Sequence, residues 1–305
     1  MFSYRHAFHA GNHADVLKHA VIIQLLRYLL NKETAVMVID THAGAGAYAL
    51  DDAFAAKSGE SESGIGRLWN RSDLPPMLAD YVGLVRSLNP SGKMRHYPGS
   101  PLCADLIMRE QDRLRLFELH PADSKILYEN FRKREMHAAA QGQRSQGRGK
   151  RVLIERGDGF LALKALLPPP SRRALVLVDP PYEDKADYRR VTDTLADALQ
   201  RFPGATYAVW YPALQRSESR QLPERLKKLC AGDWLHVALA IGAPSPDGFG
   251  LRGSGMFVIN PSWTLAKELK DTMPYLTAAL AVDSEAEYTL ETGSGTTPKR
   301  RERGE

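Results

Sequence analysis

The chain has 305 residues, 43% hydrophobic and 25% charged, with a formal net charge of +5 and a pI near 9.1. These totals fit a globular protein with enough apolar residue for a large core, and they exclude a fibrous or wholly disordered chain. No apolar run reaches the roughly 18 residues of a membrane span, and two distant cysteines, Cys103 and Cys230, exclude a disulfide framework. A reducing cytoplasm is the expected setting. The opening segment from Met1 to His19 has no apolar core and is not read as a secretory signal. The basic balance favours a polyanionic partner.

The segment Tyr4 to His13 is polar, aromatic and basic without a clear period. Asn12 is a suitable cap for a helix from about His13 to Leu30, where Val16, Leu17, Ala20, Val21 and Leu25 recur at helical spacing. Thr34 to Ile39 reads as a buried strand running into Asp40-Thr41-His42-Ala43-Gly44-Ala45-Gly46. A strand, a glycine-rich turn and then a helix is the nucleotide-cradling βα unit: glycine permits close backbone approach, and a helix amino terminus favours an anion. From Leu50 to Gly92 strand runs disappear and a helix over Met77 to Leu88 is predicted, so residues 50–92 read as a helical insertion. Tyr97-Pro98-Gly99-Ser100-Pro101 predicts another helix, with Ser100 as its cap and Pro101 in its first turn.

Further on, Arg113 to Leu119 reads as a strand ending near Glu118, and Pro121 to Phe131 as a helix. Gln141 to Lys150, rich in Gly and Arg, is expected to be a flexible basic loop. Strands are then predicted at Arg151 to Glu155, Leu175 to Val178, Thr206 to Tyr211, Trp234 to Ile241 and Gly255 to Ile259, the last two as an antiparallel pair. Residues 284–305 are expected to form a disordered basic tail. The domain reading is therefore 1–49 as arm, first helix and first βα unit, 50–92 as insertion, 93–283 as the rest of the core, and 284–305 as tail. Seven strands with interleaved helices describe a doubly wound α/β sheet.

The run Leu175 to Val178 followed by Asp179-Pro180-Pro181-Tyr182 carries the strongest chemical signal. Four aliphatic residues suit a strand buried on both faces, and the prolines end it, since they cannot donate to a sheet ladder. Asp179 then sits at the carboxyl end of a central strand, where open α/β sheets bind their ligands. A carboxylate, a fixed carbonyl and an aromatic face suit a planar group bearing an NH2; the plain alternative is a strand-ending turn. Asp40, Glu118, Asp158 and Asp179 fall at the ends of four strands and should line one sheet edge. Glu118 is suited to a ribose diol and Asp158 to an amino group, although each also reads as an ordinary strand-end or turn acid. His6, His9, His13, His19 and His42 match no zinc spacing, so no metal is expected; Lys18 and His19 read instead as donors beside a ligand carboxylate.

With these residues in view, the chain resembles S-adenosyl-L-methionine-dependent adenine-N6 methyltransferases, and more closely the RlmJ family of 23S ribosomal RNA methyltransferases. The likeness rests on Ser3-Tyr4-Arg5-His6, on Gly11 through His19, on Asp40 through Gly46, and on Tyr97 through Pro101. It continues through Glu118-Leu119-His120-Pro121, Asp158-Gly159, Asp179 through Tyr182, Trp210-Tyr211-Pro212 and Gly253 through Met256. The resemblance implies a Rossmann-like class I methyltransferase sheet with a small helical insertion, acting on one adenine of 23S ribosomal RNA. It further implies that His19, His42, Ser100, Glu118, Asp158, Gly159 and Asp179 hold S-adenosyl-L-methionine. Asp179, Pro180 and Tyr182 would be catalytic, with Tyr182 holding a flipped-out base, and Tyr4 would touch the RNA. A monomer without metal or membrane association is expected.

Three other readings use the same residues. A DNA-adenine or protein-glutamine methyltransferase shares the Asp-Pro-Pro-Tyr type of turn. A nicotinamide-dependent oxidoreductase shares the glycine turn but leaves Asp179 to Tyr182 without a role. A non-catalytic RNA-binding protein accounts for the charge but not for the polar strand ends.

Overall fold

The computed structural model describes residue 6 and residues 9–50, 59–140, 151–244 and 250–295. Helix α1 (His13–Leu30) starts where Asn12 accepts hydrogen bonds from the amides of Ala14 and Asp15, both at 3.0 Å. Its apolar residues continue around most of its circumference, and it is buried against the sheet and against helices of the insertion and core.

The sheet consists of β1 (Met37–Asp40), β4 (Arg113–Phe117), β5 (Val152–Glu155), β6 (Ala174–Val178), β7 (Thr206–Pro212), β8 (Asp233–Ala240), β9 (Gly253–Ile259) and β10 (Glu287–Ser294). Their spatial order is β10-β8-β9-β7-β6-β1-β4-β5. The block from β7 to β5 is parallel, β9 is antiparallel to both β7 and β8, and β10 closes the edge antiparallel to β8. β1 and β6 are buried along their whole length, so each of their large aliphatic side chains contributes about 1.5–3 kcal/mol of burial. From β1 the chain builds outward to β4 and β5, then returns to build β6 and β7 on the other side. The crevice of the sheet lies at that reversal, above the carboxyl ends of β1 and β6.

The seven predicted strands are all present in this Rossmann-like sheet, and β8 and β9 form the expected antiparallel pair. Three features differ from the sequence reading. First, the glycine turn after β1 runs into a short strand, β2 (Ala47–Ala49), rather than into a helix. β2 pairs with β3 (His96–Pro98), and the Gly99 amide donates to the Gly46 carbonyl at 2.9 Å. Between them lie α2 (Glu60–Ser63), α3 (Gly66–Trp69) and α4 (Pro76–Ser87). The crossover helix of this βα unit is therefore α5 (Ser100–Ile107), brought back to the glycine turn by the β2–β3 ribbon.

Second, α6 (Pro121–Ala140) continues beyond Phe131. Its added stretch, Arg132 to Ala140, is rich in Arg, Lys, Glu, Met and Ala, all good helix formers, but has no apolar stripe for a periodicity test to detect. Third, residues 287–294 form β10 where a disordered tail was predicted. Its side chains are mostly exposed, and it is specified instead by ladder pairing with β8, from Glu287 opposite Ala240 to Ser294 opposite Asp233. The basic stretch 141–150 lies outside the described residues. Among the described residues no helix is long and apolar enough to cross a membrane. The remaining helices are α7 (Gly159–Leu166), α8 (Lys185–Arg201), α9 (Ser217–Lys227) and α10 (Leu265–Leu280).

Candidate active site

A cavity of about 360 Å³ opens at the crevice, and its walls are the turns after β1, β4, β5 and β6 together with the inner face of α1. Its size falls in the range of small-ligand sites. His19, His42, Ser100, Glu118, Asp158, Gly159, Asp179 and Pro180 all border it. Tyr4 lies outside the described residues.

The wall formed by the glycine turn is held by carboxylates. Gly44, at φ +59°, donates its amide to Glu118 Oε2 at 2.8 Å, while Glu118 Oε1 accepts from the His120 amide at 2.7 Å. Burial pushes the Glu118 carboxyl upward, against these two donors. Asp40 is 1% exposed and accepts from the His42 amide at 3.2 Å and from Ser100 Oγ at 2.7 Å. Burial pushes its carboxyl up to about 7. The Ser100 hydroxyl therefore does not cap α5, whose amino end has Gly99 at the cap position and no side-chain cap; it joins α5 to the end of β1. A buried carboxylate in reach is the stronger acceptor for that hydroxyl.

Thr41 Oγ1 donates to the Leu177 carbonyl at 2.9 Å, so its contact with His42 Nδ1 at 2.8 Å must be one it accepts. Burial pushes His42 down to about 3, and the neutral ring then carries its proton on Nδ1, with Nε2 as an acceptor. The His42 ring meets Phe160 edge-on, with centroids 4.7 Å apart. Asp158 caps α7 through Oδ1, accepting from Phe160 N at 2.9 Å and Leu161 N at 3.3 Å. Its Oδ2 receives Arg190 Nη2 at 2.7 Å, and the guanidinium carbon lies 4.7 Å from the Phe160 ring centroid.

At the other end of the cavity, Lys18 Nζ lies 2.8 Å from Asp179 Oδ2 and 2.9 Å from Asp15 Oδ1. Asp15, 1% exposed, also accepts from the Gly11 amide and pairs with His6 Nε2, each at 2.9 Å. Burial opposes both charges, yet His6 and Lys18 together hold the Asp15 carboxyl well below the usual range. Asp15 and Asp179 likewise hold Lys18 well above its usual range despite its burial. The result is a continuous line of polar contacts from His6 through Asp15 and Lys18 to Asp179. Sequence reading listed neither Asp15 nor Arg190 among the site residues. The signal for Asp15 was available: ionisable residues within an otherwise apolar helix need partners inside the protein.

Tyr182 departs from the predicted role of stacking on a base. Its ring is 2% exposed, turned into the core against Tyr188 and Trp210, and its hydroxyl donates to the Trp210 carbonyl at 2.7 Å. Two prolines followed by a left-handed residue (φ +53°) swing the chain back under the sheet, where an aromatic ring gains more from burial than from exposure. Arg216 Nη1 donates to the Tyr182 carbonyl at 3.3 Å and fixes the turn from outside. Among the described residues, two buried polar atoms on cavity-lining side chains have no hydrogen-bond partner, His19 Nε2 and Trp210 Nε1. Buried polar atoms left without a partner are uncommon and call for an explanation, such as a bound ligand.

A largely parallel sheet in which β9 and the edge strand β10 run the other way, a glycine turn backed by strand-end acids, and an Asp-Pro-Pro turn at the crevice define a class I methyltransferase. The family model described as "RsmJ: Ribosomal RNA large subunit methyltransferase D, RlmJ" matches residues 33–291. The chain is 43% identical over 280 residues to ribosomal RNA large subunit methyltransferase J of Escherichia coli (strain K12), covering 92% of this chain and 94% of that protein. Its identity to the Haemophilus influenzae protein of the same name is 43% over 292 residues, covering 95% and 98%. The crystal structure of LPL1258 from Legionella pneumophila str. Philadelphia 1 is similar with a TM-score of 0.81 at 31% identity, covering 93% of this chain and 98% of that one. The chain belongs to the RlmJ family.

Proposed function

We propose that this chain transfers a methyl group from S-adenosyl-L-methionine to the N6 nitrogen of one adenine in 23S ribosomal RNA. The observation that carries the reading is Asp179-Pro180 at the rim of the cavity that the glycine turn, Glu118 and Asp158 also line. The residues fit the cofactor. His19 Nε2 and Trp210 Nε1 lack partners, and seven carboxylates line the cavity against two cations, Lys18 and Arg190, which suits a ligand carrying a sulfonium and an ammonium. Bound there, the sulfonium supplies an activated methyl group.

His19 would donate to the ligand carboxylate, Glu118 would receive the ribose hydroxyls, and Asp158 with Gly159 would meet the adenine edge. At the acceptor end, the lone pair of an exocyclic adenine nitrogen is delocalised into its ring. The Asp179 carboxylate and the Pro180 carbonyl would accept its two hydrogens, favouring a pyramidal nitrogen with its lone pair directed outward. Lys18, fixed by Asp15, sets the orientation of the Asp179 carboxylate. The target base must leave its stack to reach this point. With the Tyr182 ring turned inward, the apolar surfaces offered to it are Pro180, Pro181 and Trp210.

The test is transfer from labelled S-adenosyl-L-methionine to protein-free, unmodified 23S ribosomal RNA, followed by nucleoside analysis. N6-methyladenosine is expected, and Asp179→Ala should abolish it. Label in DNA or protein but not in that RNA would overturn the substrate, and undiminished turnover by Asp179→Ala would overturn the mechanism.

A further inference from the structure

His19 borders the cavity, and its two ring nitrogens differ in their partners. The ring is fully buried; Nδ1 lies 2.9 Å from Tyr97 Oη, while Nε2 makes no hydrogen bond and stands 3.9 Å from Asp15 Oδ1. Tyr97 Oη lies in turn 2.9 Å from Tyr81 Oη. Tyr97 is on β3 and Tyr81 on α4, and both are fully buried. The insertion and its ribbon thus reach the cavity through a line of three polar side chains. Burial pushes His19 down to about 3, against the pull of Asp15, so the ring is neutral and carries one proton.

That proton has two places to sit, and the line of hydrogen bonds distinguishes them. When Tyr81 donates to Tyr97 and Tyr97 donates to Nδ1, both hydroxyl protons are used and the ring proton lies on Nε2. When His19 donates from Nδ1, the order reverses and the Tyr81 proton is left without an acceptor, since Tyr97 is the only hydrogen-bond partner of Tyr81 among the described residues. An unmade hydrogen bond at a fully buried hydroxyl is unfavourable. The Asp15 carboxylate on the Nε2 side also favours a proton there. His42, across the cavity, has the opposite tautomer, because the Thr41 hydroxyl is already committed to Leu177.

The geometry points to Tyr81 and Tyr97 as positioning residues that fix the His19 proton on Nε2, so that the histidine presents a hydrogen-bond donor to a carboxylate bound in the cavity. The inference rests on the methyl-donor reading above, in which that carboxylate belongs to the amino-acid end of the ligand. It gives the helical insertion a part in ligand recognition.

The decisive measurement is long-range nitrogen–proton NMR on the full-length chain with 15N-labelled histidine, with His19 assigned by its loss in His19→Asn. A wild-type His19 protonated on Nε2 is expected, and one protonated on Nδ1 overturns the inference without any variant having to fold. In Tyr97→Phe the two tautomers should become mixed. S-adenosylhomocysteine, which carries the carboxylate, should then bind more weakly by the reciprocal of the Nε2-protonated fraction, about twofold for an even mixture, while adenosine, which lacks it, binds as before. Tyr81→Phe should show a smaller loss of the same selectivity. Equal losses for both ligands would mean general damage to the pocket and would also overturn the inference. If wild type binds neither ligand, it is the methyl-donor reading that fails, whereas the histidine spectrum still decides the tautomer.

Discussion

A side chain at position 159 has nowhere to go, because a Cβ built there would lie 2.2 Å from the Thr41 carbonyl oxygen. The obstacle is backbone of the β1 turn, so Gly159→Ala should force the β1 and β5 turns apart. A loss of about 1–3 kcal/mol in unfolding free energy is expected by denaturant titration, together with weakened S-adenosylhomocysteine binding. Two buried carboxylates give opposite pH signatures. Asp15 is held below its unfolded value, so its contribution is present above about pH 4 and is lost as pH falls. Asp40 is raised to about 7, so the folded state binds more protons than the unfolded one between about pH 4 and 7, and its contribution fades as pH rises through that window. Asp40→Asn should therefore gain stability relative to wild type as pH rises from 5 to 8; a Tm difference flat across that range would refute the assignment. Asp15→Ala, which leaves Lys18 with one partner fewer in the interior, should destabilise by about 3–5 kcal/mol at neutral pH in the same denaturant assay.

At the scale of elements, the β2–β3 ribbon and β10 show the sheet being completed by segments with weak signals of their own. The ribbon lets an insertion open a βα unit without losing the helix amino terminus at the glycine turn, since Gly99 is hydrogen-bonded directly to Gly46. β10 covers the outer edge of β8 and brings Glu291 to Lys227 Nζ at 2.8 Å and to His236 Nδ1 at 3.3 Å. Truncation after Asp283 should leave β8 as an eight-residue open edge. A Tm lowered by several degrees and a shift toward higher mass in size-exclusion chromatography are expected; an unchanged elution profile and Tm would show that β10 contributes nothing to closing the sheet.

For the whole molecule, the charges are segregated. The chain carries +5 overall, yet its cavity is lined by seven carboxylates and two cations. That lining suits the cationic cofactor proposed above, and the overall basic charge suits the proposed polyanionic substrate. RNA binding should accordingly weaken steeply with salt, the logarithm of affinity falling linearly with the logarithm of salt concentration. Filter binding across 50–300 mM potassium chloride measures that slope, and a slope near zero would remove phosphate contacts as the source of affinity.

What the sequence determined by itself was whatever depends on local pattern. The aliphatic runs of β1 and β6, the Asn12 cap, and the acids and glycines at strand ends could all be read in order, because burial on both faces and tight turning each leave a short-range mark. Hence Asp40, Glu118, Asp158 and Asp179 could be expected together at one sheet edge from the pattern alone, whereas His42, Ser100 and Gly159 entered the site only through the family resemblance. Tertiary structure decided what depends on partners far apart in the chain. Ladder pairing rather than side-chain pattern makes β10 a strand, and core packing turns the Tyr182 ring away from the cavity. The helix expected after Gly46 begins instead at Ser100, across a ribbon with no strong signal of its own. Charge pairing is the plainest case: Lys18 lies 161 positions from Asp179, and only the closed sheet brings them to 2.8 Å.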